Sequence, residues 1–135
     1  MDIAQAESVD DMRSAAHLFD NAIDEDALAR FFSQPNHRIL LARHDSHTVG
    51  FVSIVELTHP DKGVEWLLYE LAVDDMYKRL GIGRMLVESA HALARKAGAY
   101  SVFTIADIDN DAALATYRSA GGNGPQPAVV FDWTV

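Results

Sequence analysis

The sequence predicts an α/β (α+β) domain: a mixed, mostly antiparallel sheet with one central parallel strand pair and helices on both faces. Short segments of strand character, bounded by turn residues, follow one another between positions 38 and 73, as in antiparallel hairpins. An apolar segment, an amphipathic segment and a second apolar segment follow between positions 64 and 106. That strand–helix–strand order implies a parallel pair. The chain has 135 residues and no linker-like stretch, so we expect one domain over residues 1–135.

An edge strand and two helices are predicted before the first hairpin. Residues Asp2–Glu7 are weakly patterned and are expected to form a short edge strand. Ser8 and Asp11 resemble a capping box, and apolar residues at helical spacing follow, so a helix is expected over Val9–Asn21. A second helix is expected over Asp26–Ser33. The side chains expected to face inward from it are those of Leu28, Phe31 and Phe32.

Five further strands are predicted from apolar segments between turn residues. The first two, Arg38–Arg43 and Val49–Leu57, should form a hairpin. The next, Val64–Val73, is apolar on both faces and should be covered on both sides. The last two are expected over Tyr100–Ala106 and Ala128–Val135.

Two helices are predicted in the second half of the chain. One begins at Gly81, continues with apolar residues at intervals of three and four, and ends with Gly98 at its C-terminal cap. The other has Asn110 as its N-cap and runs over Asp111–Ala120 until Gly121 ends it.

Composition restricts the classes of function. The formal net charge of −9 argues against a nucleic-acid binder; it suits a cationic small substrate, although solubility alone also explains it. No apolar run approaches the ~20 residues of a membrane helix, and the first residues lack an export pattern. We therefore expect a cytoplasmic protein that contacts neither membrane nor nucleic acid. The absence of cysteine excludes disulfides, thiolate metal sites and a cysteine nucleophile.

The stretch between Tyr69 and Arg84 has the pattern of an anion site. A buried strand leads into a basic loop that contains Gly81 and Gly83, and a helix begins there. The free N–H groups and the dipole of a helix N-terminus attract anions. Glycine lets a phosphate approach the main chain closely. Lys78 and Arg79 add positive charge to the loop.

The loop Lys78-Arg79-Leu80-Gly81-Ile82-Gly83 resembles the acyl-CoA pyrophosphate loop of the GNAT N-acetyltransferases, whose pattern is Gln/Arg-x-x-Gly-x-Gly/Ala. Lys78 departs mildly from that pattern. A second family element, Asn110-x-x-Ala113-x-x-x-Tyr117, lies on the helix where the family has it. The order of predicted elements matches over nearly the whole chain.

A narrower resemblance is to the type I aminoglycoside 3-N-acetyltransferases, the gentamicin-modifying enzymes of the same family. It rests on Leu68–Val73, Lys96–Tyr100, Asp109–Tyr117 and Val130–Asp132. The match is poor before Tyr69, and the connection Asn21–Asp26 is much shorter than in those enzymes. That connection usually walls the acceptor pocket. Dimers are common in the family, and pairing of Ala128–Val135 between subunits would give a homodimer.

The resemblance implies acetyl-CoA as cofactor. Main-chain groups of Leu71, Ala72 and Val73 would hold the pantetheine arm in a wedge between two splayed parallel strands. The pyrophosphate would lie on the loop from Lys78 to Arg84. Together with the second motif, the cofactor-binding residues are expected to be Leu71, Ala72, Val73, Lys78, Arg79, Leu80, Gly81, Ile82, Gly83, Arg84, Asn110, Ala113 and Tyr117.

Two residues are predicted to act in proton transfer. Tyr117 lies two helical turns past Asn110, and its hydroxyl would reprotonate the leaving thiolate; the alternative is a ring packed in the core. Strand alternation would place Glu70 on one face with Trp66, Leu68 and Ala72. A carboxylate in an apolar stripe is partly desolvated, which suits a general base; the alternative is a salt bridge.

The acceptor is expected to be a cationic amine bound by Glu70, Asp107, Asp109 and Asp132, although Asp107 and Asp109 also suit a loop and a helix cap. The leading hypothesis is direct acetylation of an aminoglycoside 3-amino group in a ternary complex. The alternatives are a polyamine or other small amine and, from another class, a non-catalytic acyl-CoA-binding module. The histidines show no metal-ligand spacing, so no metal is expected. Trp66 and Trp133 are expected in the core.

Overall fold

The structure is a computed structural model that describes residues 1–135. A single five-stranded sheet has the order β1-β2-β3-β4-β5. Its strands are β1 (Asp2–Gln5), β2 (His37–His44), β3 (His47–His59), β4 (Gly63–Val73) and β5 (Ser101–Thr104). All neighbours are antiparallel except β4 and β5, which are parallel. The predicted mixed sheet is confirmed.

Four α-helices cover the two faces of the sheet: α1 (Val9–Arg13), α2 (Glu25–Ser33), α3 (Ile82–Lys96) and α4 (Asp111–Ser119). The predicted caps are present: Ser8 and Asn110 each accept a backbone N–H at the start of a helix, and Gly98 adopts a positive φ of 86° just after α3. Asp24, which the sequence analysis did not single out, caps α2 in the same way. None of these helices is long and apolar enough to cross a membrane.

The two faces of the sheet carry separate cores. One, here called the α3-side core, packs Leu40, Val52, Trp66 and Leu68 against the buried face of α3. The other, the α1/α2-side core, packs Met12 and Leu28 against Ile39, Leu41 and Phe51. Neighbouring residues of β2 alternate between the two cores, as strand geometry requires. The prediction of helices on both faces is confirmed.

The first helix is shorter than predicted. A helix was expected over Val9–Asn21, but α1 ends at Arg13 and only a 3-10 turn, Ala16–Leu18, follows. The hydroxyl of Ser14 contacts Thr48 Oγ1 at 2.8 Å and donates to the carbonyl of Asp11. Ala15 is fully buried. Docking of this turn on β3 therefore overrides the helical periodicity.

Two predicted burials are also wrong. Phe32 was expected to face the core, yet it is 36% exposed while its neighbour Phe31 packs against the α1/α2-side core. Trp66 is fully buried as expected, but Trp133 is 82% exposed.

The predicted C-terminal strand is absent. Residues Ala128–Val135 form no strand, and residues 121–135 are all exposed. The predicted strand Tyr100–Ala106 is shortened to four residues, Ser101–Thr104. Since no strand pairs with its outer side, β5 forms the edge of the sheet within this chain. A strand needs a partner for its backbone groups, and a single copy of the chain provides none for the segment Ala128–Val135.

Candidate active site

The parallel strands β4 and β5 part to form a fork. Their pairing ends at Leu68 and Thr104, but β4 continues to Val73. At the branch point the Thr104 hydroxyl donates to the Leu68 carbonyl over 2.9 Å. Beyond it, the side of β4 that faced β5 has no strand partner, so main-chain groups of Leu71, Ala72 and Val73 border an open wedge.

The N-terminus of α3 lies just beyond this wedge and has no side-chain cap. Its N-cap is Gly81, with a φ of 80°, whereas Ser8, Asp24 and Asn110 cap the other three α-helices. The first helical bond is donated by Met85 N–H to the Gly81 carbonyl. The preceding amides of the first turn therefore keep their N–H groups free for an anion.

The two loop glycines have different roles. A Cβ at Gly81 would meet nothing within 4 Å, but the positive φ there favours glycine. A Cβ at Gly83 would lie 3.2 Å from Thr116 Cγ2 on α4 and within 4 Å of Leu71 and Val73. Gly83 thus allows α3 to pack closely against α4 and β4. This packing role is additional to the one predicted from the sequence, which was to let a phosphate approach the main chain.

The basic residues around the loop are exposed, and two of them pair with acidic side chains. Lys78 Nζ lies 2.6 Å from Asp75 Oδ1, and Arg84 pairs with Glu88 on α3. Arg79 has a φ of 65°, in the left-handed region. Leu80 is 65% exposed, whereas Ile82 is buried in the α3-side core. The side chain of Ile82 is therefore not accessible to a ligand, and only its backbone could take part in the predicted cofactor site.

A β-bulge reverses the predicted orientation of Glu70. Ser53 pairs with Glu70 but the next residue, Ile54, pairs with Leu68, so Tyr69 is an extra residue in β4. Leu68 belongs to the α3-side core, whereas Ala72 packs against the α1/α2-side core. The prediction that Glu70 shares a face with Trp66 and Leu68 is therefore wrong. Glu70 lies with Ala72 on the α1/α2 side.

This position places Glu70 near a carboxylate that the sequence did not indicate. Desolvation raises the pKa of the half-buried Glu70 carboxyl, and the negative charge of Asp20 raises it further. Asp20 lies between α1 and α2, in the segment beside the short Asn21–Asp26 connection. Only the fold brings these residues together, because fifty positions separate them in the chain. A raised pKa suits a group that exchanges protons near neutrality.

The second motif lies on α4 as expected. The Asn110 side chain accepts the Ala113 N–H over 3.1 Å and thereby caps the helix. Tyr117 lies two turns further on and is half-buried. Asn110 therefore has a structural role, and Tyr117 is neither fully exposed nor enclosed in a core.

The predicted acidic acceptor residues lie in two separate, exposed parts of the chain, apart from Glu70 on β4. Asp107 and Asp109 are exposed in the loop after β5, where their carbonyls accept the N–H groups of Asn110 and Asp111. Asp132 lies in the exposed C-terminal segment, and no backbone hydrogen bond joins residues 123–135 to the rest of the chain. Within one chain, Asp132 is therefore not held at the site.

Sequence spacing also missed a cluster that contains Asp74, shortly before the loop Lys78–Gly83. Ligand-type atoms of His17, His47 and Asp74 all lie within 4.8 Å of one another. The two imidazole rings stack, with centroids 5.2 Å apart. His17 Nε2 is 2.9 Å from the Thr48 carbonyl oxygen, so that nitrogen is in hydrogen-bond contact with the backbone. The cluster brings together the 3-10 turn Ala16–Leu18, the start of β3 and the residue that follows β4.

The fork, the uncapped N-terminus of α3 and the half-buried Glu70 carboxyl are features that suit an acyltransferase. The comparisons agree, since residues 6–121 match the model of the acetyltransferase (GNAT) family. The chain therefore belongs to the GNAT family of acetyltransferases. Members of this family use acetyl-CoA as acetyl donor.

Individual relatives differ in acceptor. The chain is 30% identical over 118 residues to N-alpha-acetyltransferase RimI of Mycobacterium tuberculosis; the match covers 87% of this chain and 72% of that protein. It is 25% identical to the crystal structure of an aminoglycoside acetyltransferase, meta-AAC0020, from an uncultured soil metagenomic sample in complex with trehalose. That superposition has a TM-score of 0.91 and covers 99% of this chain and 95% of the other. A complex of the same acetyltransferase with sisomicin gives the same TM-score and coverage at 24% identity.

Proposed function

We propose that this enzyme transfers the acetyl group of acetyl-CoA directly to an amino group of an aminoglycoside, the 3-amino group being the preferred position, in a ternary complex. The observation that carries the proposal is the placement of Glu70. Its carboxyl lies beside the fork on the α1/α2 side, with a pKa raised by desolvation and by Asp20. Two neighbouring carboxyl groups suit an acceptor that carries several ammonium groups.

The donor fits the residues present. The free amides of the first turn of α3 suit the pyrophosphate, with Lys78, Arg79 and Arg84 beside it. Main-chain groups of β4 from Leu71 to Val73 suit the amide-bearing arm. When bound, acetyl-CoA supplies an activated thioester carbonyl. The chain would place that carbonyl in the wedge, next to the face that carries Glu70, and proximity contributes much of the rate.

Glu70 would accept the proton of the attacking amine, directly or through a water. The acceptor amine is mostly ammonium at neutral pH, so a base is needed before attack. Replacement of Glu70 by Gln should lower kcat by about 100-fold, in line with general base catalysis. Glu65→Gln on the same strand, at the closed end of the fork, is the matched control. Equal kcat values for Glu70→Gln and Glu65→Gln would remove this role.

Tyr117 would protonate the departing thiolate. It lies half-buried on α4, and a phenol is a weaker acid than a thiol in water. We expect Tyr117→Phe to lower kcat by about 100-fold while the KM for acetyl-CoA stays within a factor of a few. Turnover equal to that of the parent enzyme across the pH range would exclude the role.

A second candidate acceptor is the α-amino group of a polypeptide. The relative that is 30% identical is named an N-alpha-acetyltransferase. An extended peptide would offer only one reacting ammonium group and a backbone. An aminoglycoside offers several ammonium groups to Glu70 and Asp20, which is why we favour it.

The deciding experiment is thiol release from acetyl-CoA with gentamicin, sisomicin, kanamycin, spermidine and a peptide with a free N-terminus, followed by mass spectrometry of the products. Acetylation of gentamicin or sisomicin at the 3-amino group would support the proposal. Turnover only on spermidine or on the peptide would keep the chemistry and replace the acceptor. Binding of acetyl-CoA without turnover on any amine would contradict the proposed acceptor class.

A further inference from the structure

Three side chains that the proposed reaction does not use meet just beyond the end of β4. His17 belongs to the 3-10 turn Ala16–Leu18, His47 is the first residue of β3, and Asp74 directly follows β4. Each of them offers one atom of the kind that binds metals, and these three atoms lie within 4.8 Å of one another. Only folding brings the three residues to one point, because they belong to separate elements.

The separations of the polar atoms are close to those that one metal ion requires. Asp74 Oδ2 lies 3.8 Å from His17 Nε2 and 3.9 Å from His47 Nε2. Two ligands of a tetrahedral zinc ion, each about 2.0–2.1 Å from it, are roughly 3.4 Å apart. The side chains of His17 and His47 are 41% and 56% exposed, so both rings are free to make the small turn that ligation needs.

The three side chains converge without bonding one another. The distances from Asp74 Oδ2 to the two imidazole nitrogens are too long for hydrogen bonds. The rings of His17 and His47 stack, with an angle of 23° between their planes. Two imidazoles and a carboxylate thus surround one point with lone-pair-bearing atoms, and a cation at that point would join all three.

Backbone contacts orient Asp74 for this role. Its Oδ1 accepts the N–H of Met76 at 3.0 Å, which leaves Oδ2 for the two imidazoles. Its own N–H donates to the Val49 carbonyl oxygen over 2.8 Å. Carboxylates that bind metals are commonly fixed by such neighbouring hydrogen bonds. Asp74 therefore offers one oxygen in a position that is set before an ion arrives.

The Thr48 carbonyl adds another oxygen to the cluster. It lies 2.9 Å from His17 Nε2. A carbonyl oxygen only accepts, so without a metal this nitrogen carries the hydrogen. A metal ion in the place of that hydrogen would bind Nε2 and lie beside the carbonyl oxygen, while the hydrogen of the neutral ring moves to Nδ1.

The donor set determines the class of metal. Imidazole nitrogen suits zinc and the neighbouring divalent transition metals, whereas magnesium and calcium prefer oxygen ligands. The chain has no cysteine, so no thiolate can compete for the ion. Three protein ligands leave at least one coordination position for water.

We propose that His17, His47 and Asp74 bind one divalent transition-metal ion of the zinc class through the two Nε2 atoms and Oδ2. The ion would tie together the turn Ala16–Leu18, the start of β3 and the end of β4. Asp74 lies four positions before Lys78, so the ion would also anchor the segment that leads into the loop. The histidine spacing does not indicate the site, since thirty positions separate His17 from His47.

Calorimetric titration of the full chain with zinc chloride, without a histidine tag, tests the site. The parent chain should bind one zinc ion per chain, and the ion should raise Tm because it binds only the folded arrangement. His47→Gln and Asp74→Asn should each weaken zinc binding by roughly 100-fold, since residues that merely orient ligands are worth about 10- to 100-fold. Asp74→Asn keeps an oxygen for the Met76 N–H, and circular dichroism shows whether each variant is folded.

The matched control is His59→Gln. His59 lies at the other end of β3 and pairs with Asp61 alone. This variant should bind zinc as tightly as the parent chain. A parent chain that binds no zinc, an Asp74→Asn or His47→Gln chain that binds it equally well, or an equal loss in His59→Gln would overturn the proposal.

Cobalt(II) distinguishes a three-ligand site from loose binding to single surface imidazoles. One equivalent should give a visible absorption spectrum more intense than that of the aqueous ion, and one equivalent of zinc should abolish it. A large excess of magnesium should leave the spectrum unchanged. Displacement of cobalt by magnesium, or the same spectrum in Asp74→Asn, would overturn the ligand set. None of these readouts depends on catalysis, so they decide the metal site whatever the acceptor of the enzyme is.

Discussion

Glu70 is the residue to which we assign the proton transfer from the acceptor, and its position results from one inserted residue in β4. The bulge at Tyr69 turns Glu70 away from the α3-side core and towards the segment that contains Asp20. There, desolvation and a second negative charge both disfavour ionisation of the carboxyl. The same two causes predict the pH behaviour of the enzyme and a cost in stability.

The pH profile should depend on Asp20. A base must be deprotonated, so the raised pKa of Glu70 sets an acidic limb on kcat/KM above the ordinary range of glutamate. Asp20→Asn removes the repulsive charge, lowers the pKa of Glu70 and should move this limb to lower pH. Asp26→Asn, a change of equal charge on α2, should leave it in place. The pH dependence of kcat/KM measures both, and identical profiles for the parent and Asp20→Asn would contradict the prediction.

Glu70 should also make the free enzyme less stable at neutral pH. A carboxyl whose pKa is higher in the folded state stabilises the fold below its unfolded-state pKa and loses that contribution as pH rises through the folded value. Glu70→Gln should therefore raise Tm at pH 7, because the variant no longer places a negative charge in this partly desolvated position. At pH 4 the two proteins should differ less. Thermal unfolding at both pH values tests this, and a lower Tm for Glu70→Gln at pH 7 would refute it.

At the scale of elements, the loop Lys78–Gly83 leads into α3, and contacts of α3 with its neighbours hold the start of this helix. The helix begins without a side-chain cap and packs so closely on α4 that position 83 accommodates only glycine without adjustment. Leu86 and Ala90, fully buried, anchor the rest of α3 on the sheet. The free amides at its start are thereby held in place before any ligand arrives.

The contact between α3 and α4 can be tested by a paired substitution. Gly83→Ala places a Cβ 3.2 Å from Thr116 Cγ2, so it should destabilise by about 1 kcal/mol through overpacking, partly offset by better helix propensity. Thr116→Ser removes that methyl group but keeps a hydroxyl to bond the Ala112 carbonyl. The double variant should therefore recover most of the loss in denaturant unfolding. Additive effects of the two substitutions would exclude the contact.

At the scale of the whole molecule, charge and sheet closure matter most. The net charge of −9 gives the enzyme a field that attracts cations. The sheet of one chain ends at a bare β5 edge while an apolar strand-like segment extends into solvent. The first property bears on substrate capture, and the second leaves the outer backbone groups of β5 without a strand partner in a single chain.

Capture of a polycation should weaken with salt. Screening shortens the range of the field, so KM for an aminoglycoside should rise roughly three- to tenfold between 50 and 500 mM NaCl. A small amine with a single charge, assayed in parallel as the control acceptor, should show a much smaller change. An aminoglycoside KM that is independent of ionic strength would show that the acidic surface serves solubility only.

The features of this protein that can be predicted from its sequence are those that depend on local residue patterns. Helical and strand periodicities, the caps Ser8 and Asn110, and the glycines around the phosphate loop act over a few residues. For that reason the α/β class, the parallel pair of β4 and β5, and the position of the uncapped helix α3 all follow from the sequence.

Three features were decided only by the tertiary structure. The bulge at Tyr69 places the Glu70 side chain on the face of the sheet opposite to the predicted one. A register shift depends on the partner strand, so it cannot be recognised from the alternation of residues in one strand. Asp20 acts on Glu70 although fifty positions separate the two residues in the sequence, because only folding brings them near each other. The segment Ala128–Val135 has every local property of a strand, yet it stays unpaired, because a strand exists only where another backbone accepts its hydrogen bonds.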